Sequence, residues 1–283
     1  QLNAGLVHLG ILSKSSFPFQ SFIIIIVSSI AVTSAVAGVK KGVKRLSELN
    51  LILAILLLLF VLFLGPTTFL LGAFSEGIGY YVNQFADLTF NTFAFEQNGR
   101  GWFTNWTVMF WAWWISWAPF VGLFIASISR GRTIREYIFG VLLVPSLFIF
   151  LWMTVFGNGA IFLDTHSAHG ALSALAGNPD ILLFTFFEQF PLATPLCVLA
   201  VLMIAVFFIT SADSGILVMN SIATGNRPNS PKWQTILWGV LLALISIILL
   251  RAGGLRSLQT MTLIMALPFG LIMFVLCFCL LQA

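Results

Sequence analysis

Seven apolar stretches, each near the length a helix needs to cross a bilayer, constrain this chain more than any other feature. They lie at about residues 20–39, 51–71, 106–128, 139–156, 195–223, 233–250 and 258–281, and a crossing takes roughly 20 predominantly apolar residues. The charge content agrees. Only 8% of residues are charged against 59% hydrophobic, whereas a soluble domain carries about 25% charged residues to coat its surface. The chain therefore reads as an all-α, polytopic membrane protein. Residues 1–12 read as the tail of an earlier helix and Gln1 as no natural start, so the sequence reads as the middle and late part of a longer protein.

Basic residues orient the spans. Lys40, Lys41, Lys44 and Arg45 follow the first span, Arg130, Arg132 and Arg135 the third, and Arg227 and Lys232 the fifth. These nine of the 13 lysines and arginines fall in alternate loops, and Lys14, Arg100, Arg251 and Arg256 fall on the opposite face. The positive-inside bias puts the larger group in the cytoplasm. The net charge of +4 is thus a topology signal, with membrane lipids as partners and no nucleic acid. A second reading of Arg130 to Arg135 is a contact with anionic lipid or a regulatory segment. The opposite-face loops are longer. Residues 72–104 carry Phe74, Tyr80, Phe85 and Phe90 and suggest a helix lying at the interface. Residues 158–192 read as an irregular, wet loop in which Asp164, His166 and His169 form only a weak metal pattern. Cys197, Cys277 and Cys279 all lie in apolar segments and read as small buried side chains.

The densest signal runs from Asn105 to Phe120. At about 100° per residue Trp106, Phe110, Trp113, Trp117, Phe120 and Phe124 share one stripe, with Trp114 beside it. Such a stripe serves packing or an interfacial belt in many helices. Belts, however, sit at span ends, and these tryptophans run several turns inward. Indole faces attract a cation that cannot donate hydrogen bonds, each by about 0.5–2 kcal/mol. That makes a quaternary ammonium the natural guest of a ring cage.

The run Trp111-Ala112-Trp113-Trp114-Ile115-Ser116-Trp117-Ala118-Pro119-Phe120-Val121-Gly122, followed by Ile128-Ser129-Arg130-Gly131-Arg132-Thr133-Ile134-Arg135-Glu136, resembles the signature of the betaine/choline/carnitine transporter family. The likeness continues through Val155-Phe156-Gly157 and Phe208-Ile209-Thr210-Ser211-Ala212-Asp213-Ser214. It implies two inverted five-helix repeats, as in amino-acid/sodium symporters, with substrate and ions near mid-membrane where the repeats meet. On that pattern residues 1–71 are the end of the first repeat, 72–104 an extracytoplasmic loop and 105–283 the second repeat. Trp114 matches the tryptophan that closes the aromatic box, and Trp113 and Trp117 match tryptophans facing the substrate. Phe110 neighbours them, and Met109 stands where some relatives have phenylalanine. The Phe207 carbonyl, Thr210 and Ser211 match a sodium site. A homotrimer is also implied.

Read by themselves, Thr210 and Ser211 often satisfy their hydroxyls on the preceding turn, although paired hydroxyls and a carbonyl also suit a small hard cation. Asp213, an acid within a span, needs a partner or water. It reads either as a solvated acid near the cytoplasmic end or as a gating or ion-path residue. The expectation is a secondary transporter of choline or glycine betaine in the bacterial inner membrane, working by alternating access. It would be driven by sodium or protons, with no cofactor beyond a coupling Na+ and no catalytic residue. Carnitine/butyrobetaine exchange is the alternative. A channel or receptor is the alternative from another class, but a channel predicts a continuous polar stripe that the spans lack. HExxH and Gly-x-Ser-x-Gly patterns are absent, which argues against an enzyme.

Overall fold

The computed structural model describes residues 1–38, 44–96, 99–129, 131–225 and 231–282. Among them the chain is helical throughout, with no strand. In order, the helices are α1 (Leu2–His8), α2 (Phe17–Ala37), α3 (Lys44–Leu64), α4 (Thr67–Asn83), α5 (Phe85–Phe90), α6 (Arg100–Trp102), α7 (Met109–Ile128) and α8 (Ile134–Ile138). Next come α9 (Val144–Met153), α10 (Gly159–His166), α11 (Pro179–Phe187), α12 (Ala193–Ala223), α13 (Lys232–Ala252) and α14 (Leu255–Gln282). Wider π turns at Phe103–Val108, Phe139–Leu143 and Thr154–Asn158 join α6 to α7, α8 to α9 and α9 to α10. The result is seven helices long and apolar enough to cross a membrane: α2, α3, α12, α13, α14 and the continuous runs Arg100–Ala126 and Ile134–His166. The all-helical, multi-pass reading stands. Of the basic residues that oriented the spans, Lys40, Lys41, Arg130 and Arg227 lie outside the described residues.

Local chemistry sets the helix ends. Pro18 and Pro179 occupy first-turn positions of α2 and α11, where a missing N–H costs nothing. Thr133 and Glu136 open α8 with a capping box. The Glu136 N–H donates to Thr133 Oγ1 at 3.3 Å, and the Thr133 N–H donates to Glu136 Oε2 at 2.9 Å. Gly38, at φ 84°, ends α2, and Leu192 takes a left-handed backbone, φ 69°, where the chain turns into α12.

The chain forms two compact units. The first comprises Gln1–Asn83 and Arg132–Ala243. Its main core joins Leu57, Leu58, Val61 and Leu62 of α3 to Phe184 and Phe187 of α11 and to Leu196, Cys197, Ala200 and Met203 of α12. A smaller cluster packs Val27 and Ala31 of α2 on Ile209 and Ala212 of α12. The second unit comprises Gln84–Gly131 and Leu244–Ala283, and its frame is α7 against α14. The helices approach closely there: a Cβ added at Gly270 would stand 3.7 Å from Ile115 Cγ2.

Two expectations need correction. The segment 158–192 is only in part a loop: turns around Gly170 and Gly177 occupy 167–178 as expected, but α10 and α11 flank them, and Phe184, Phe186, Phe187 and Phe190 are buried. Four phenylalanines that find a core outweigh the glycines and acids that made the stretch look irregular. Cys197 is buried as expected, but Cys277 and Cys279 are exposed on α14. Every position of α14 from Leu271 to Cys279 is exposed, so neither cysteine finds an inward face although they lie about 200° apart on the helix.

Candidate functional site

Among the described residues of helix α7 Ala112 alone is fully buried, and the others are partly buried or exposed. Ala112 is buried and Ile115 partly so; both line a groove of about 620 Å³ with Leu263, Ala266, Leu267 and Gly270 of α14. At about 100° per residue Phe110, Trp114 and Trp117 lie roughly 140–160° from Ala112 and Trp113 about 100° from it. The side chains of Trp113, Trp114 and Trp117 are 55%, 53% and 41% exposed. Large rings that the unit's own packing leaves open are available to something else.

The rings touch one another along the helix. Phe110 and Trp113 have centroids 6.2 Å apart, Trp114 and Trp117 5.6 Å at an interplanar angle of 58°, and Trp117 stacks on Phe120 at 6.1 Å. These contacts bring Trp114, outside the uniform stripe, together with Trp117. Met109 sits at the first turn, partly buried. Trp106 departs from the uniform stripe because it falls in the π turn Phe103–Val108, where each residue advances by less than 100°. Pro119 lies within α7, and the Ser116 hydroxyl donates to the Trp113 carbonyl at 2.9 Å.

Helix α12 carries the oxygen-rich set in the other unit. Its buried stripe includes Ile209, Ala212, Asp213, Ile216 and Asn220. Phe207, Thr210 and Ser211 point the other way, their mean direction roughly 160° from that of the stripe. Phe207 and Ser211 are exposed and Thr210 is half-buried. The Thr210 hydroxyl donates to the Phe207 carbonyl at 3.1 Å, so two oxygens of the matched sodium set are adjacent, and the hydroxyl bonds within its own helix as residue chemistry favours.

Asp213 is not a solvated acid. It is 0% exposed. Its Oδ2 accepts the Ser34 hydroxyl of α2 at 2.6 Å and its Oδ1 accepts the Ser214 hydroxyl at 3.2 Å. A buried carboxylate must find donors, and α2 supplies one from 179 positions away. Ser34 is the functional candidate that sequence reasoning missed. The available signal was the run of small and hydroxyl residues Ser28, Ser29, Thr33, Ser34 and Ala35 within an apolar span. Asn220 of the same helix donates through Nδ2 to Thr235 Oγ1 of α13 at 3.2 Å.

The histidine pattern of 164–169 is absorbed locally. His166 Nδ1 lies 2.8 Å from the Phe162 carbonyl and its ring stacks on Phe162, while Asp164 accepts the Leu172 N–H at 2.8 Å. Among the described residues no group of three His, Cys, Asp or Glu side chains is arranged to hold a metal.

Comparison with known proteins gives the wider context. The model of the betaine/carnitine/choline family transporters matches residues 1–283. A transporter of Haemophilus influenzae is 56% identical over 98% of this chain and 42% of its own length. A glycine betaine transporter of Acinetobacter baylyi is 44% identical over 100% of this chain and 42% of its own. The high-affinity choline transport protein of Escherichia coli K12 is 42% identical over 88% of this chain and 37% of its own. The chain thus spans about two-fifths of the length of these relatives.

Proposed function

This chain belongs to the betaine/carnitine/choline family of transporters, and on that footing we propose that the protein carries a small quaternary-ammonium solute, choline or glycine betaine, by alternating access. The family is one of transporters rather than enzymes, and the seven apolar helices place the protein, multi-pass, in the bacterial inner membrane. The names of the relatives, glycine betaine and choline transporters, support the substrate class.

One observation carries the reading: the exposed ring face of α7, with Trp114 and Trp117 centroids 5.6 Å apart. A methylated ammonium cannot replace its hydration with hydrogen bonds, and a ring attracts a cation within about 6 Å of its centroid. Trp114 and Trp117 are close enough for one cation to lie within that range of both. In this reading Trp113, Trp114 and Trp117 face the substrate, with Phe110 as a further ring and Met109 as a soft, polarizable neighbour. The Phe207 carbonyl, Thr210 and Ser211 receive the coupling sodium, supported by their position on the side of α12 away from its buried stripe and by the 3.1 Å contact. Helices beyond this chain complete both sites, residues 105–283 form the second of two inverted repeats, and the transporter assembles as a trimer.

The test is radiolabelled uptake by the full-length transporter, with choline, glycine betaine and carnitine compared with and without a sodium gradient. Replacing Trp114→Leu removes one ring, and the apparent KM for the quaternary amine should rise about 3- to 30-fold with the amount of protein in the membrane unchanged. An unaltered KM removes the cage.

A further inference from the structure

Asp213 lies among the residues of the ion set, yet it faces away from them, and the transport reading gives it no task. It is wholly buried, with no lysine, arginine or histidine among the described residues at ion-pair distance. What holds it is the Ser34 hydroxyl at 2.6 Å and the Ser214 hydroxyl at 3.2 Å. The first is the shorter, and it is the one that crosses from α2 to α12.

The buried surface of α2 is made mostly of small residues, Ser28, Ala31, Ser34 and Ala35, together with Val27, and Val27 and Ala31 pack on Ile209 and Ala212 of α12. Small residues let two helices approach closely, and apolar contacts of this kind carry no direction of their own. A single directional polar contact in such an interface can specify register, as a lone buried polar residue does between coiled helices. On the far side of α12 the Phe207 carbonyl oxygen lies about 2 Å from the helix axis and the Thr210 and Ser211 hydroxyls about 4 Å. Turning the helix by about 20° would carry the carbonyl oxygen through roughly 0.7 Å and the hydroxyls through roughly 1.4 Å. A coordination site needs its ligands held to about 0.5 Å.

We infer that the Ser34–Asp213 hydrogen bond is a positioning device that sets the rotation and register of α12 and so aims the Phe207 carbonyl, Thr210 and Ser211 at the coupling ion. The inference rests on the sodium-site reading given above. Asp213 and Ser34 act through α12 and do not touch the ion.

The experiment is a sodium titration of radiolabelled uptake by the full-length transporter. Ser34→Ala removes the donor and should raise the sodium half-saturation on the order of tenfold, whereas Ser34→Thr, which keeps the hydroxyl, should titrate like the native protein. Ser34→Cys keeps the volume but donates weakly, so it should shift sodium dependence without leaving a cavity, and it serves where the alanine variant does not reach the membrane. Thr210→Ala combined with Ser211→Ala is the reference for direct loss of ligands. If the reference shifts and neither Ser34→Ala nor Ser34→Cys does, or if these only lower maximal uptake, the positioning role is overturned and the ion site stands. If the reference itself does not shift, or native uptake ignores sodium, the ion-site reading falls and this inference with it.

Discussion

Gly239 of α13 shows how much a single position decides in this protein. A Cβ there would overlap Val32 Cγ2 of α2 and stand 3.2 Å from Ile216 Cδ1 of α12, so glycine is what lets three helices meet. Replacing Gly239→Ala should therefore destabilise the protein by about 1–3 kcal/mol through overpacking. Gly72→Ala, with nothing within 4 Å of its Cβ, should be neutral or stabilising, because alanine is the better helix former. Thermal unfolding of the two variants in detergent separates them by sign. The same scale governs the polar contacts: Ser34 to Asp213 and Asn220 to Thr235 each join two spans through one bond, with no bulk water in the hydrocarbon to replace a lost partner.

Elements in this chain are shaped at their ends and at their irregular turns. The capping box at Thr133 and Glu136 satisfies two N–H groups at the start of α8, where the chain re-enters the long run Ile134–His166. Thr133→Ala should loosen that start by about 1 kcal/mol, seen as roughly fivefold faster amide exchange at residues 134–137 with the rest of the run unaffected. The π turn before α7 has a different consequence: it sets Trp106 out of the uniform stripe and leaves Phe110 as the first ring of the contacting series. Helix α11 illustrates burial overriding composition, since a nine-residue segment containing Asp180 still packs Phe184, Phe186 and Phe187 into the core.

For the molecule as a whole, orientation in the membrane is the property that can be tested most directly. Nine basic residues in alternate loops against four opposite predict that the turn between α7 and α8 is cytoplasmic and the segment between α10 and α11 extracytoplasmic. In a full-length protein cleared of other cysteines, Gly177→Cys should react with a membrane-impermeant thiol reagent in intact cells. Gly131→Cys should react only after the membrane is opened. Reversed labelling would overturn the assigned topology.

Patterns that depend on chain-local chemistry were legible before any coordinates. Apolar runs long enough to span hydrocarbon marked all seven membrane helices, because each must satisfy its own backbone in lipid whatever surrounds it. The ring series Phe110, Trp113, Trp117 and Phe120 was legible too, because its contacts run along a single helix. Tertiary structure alone decided the burial of Asp213, its partner Ser34, the core role of α11 and the outward face of Cys277 and Cys279. Each of these depends on which surfaces of distant segments meet. Helical periodicity says which residues share a face, but only packing says what that face is pressed against.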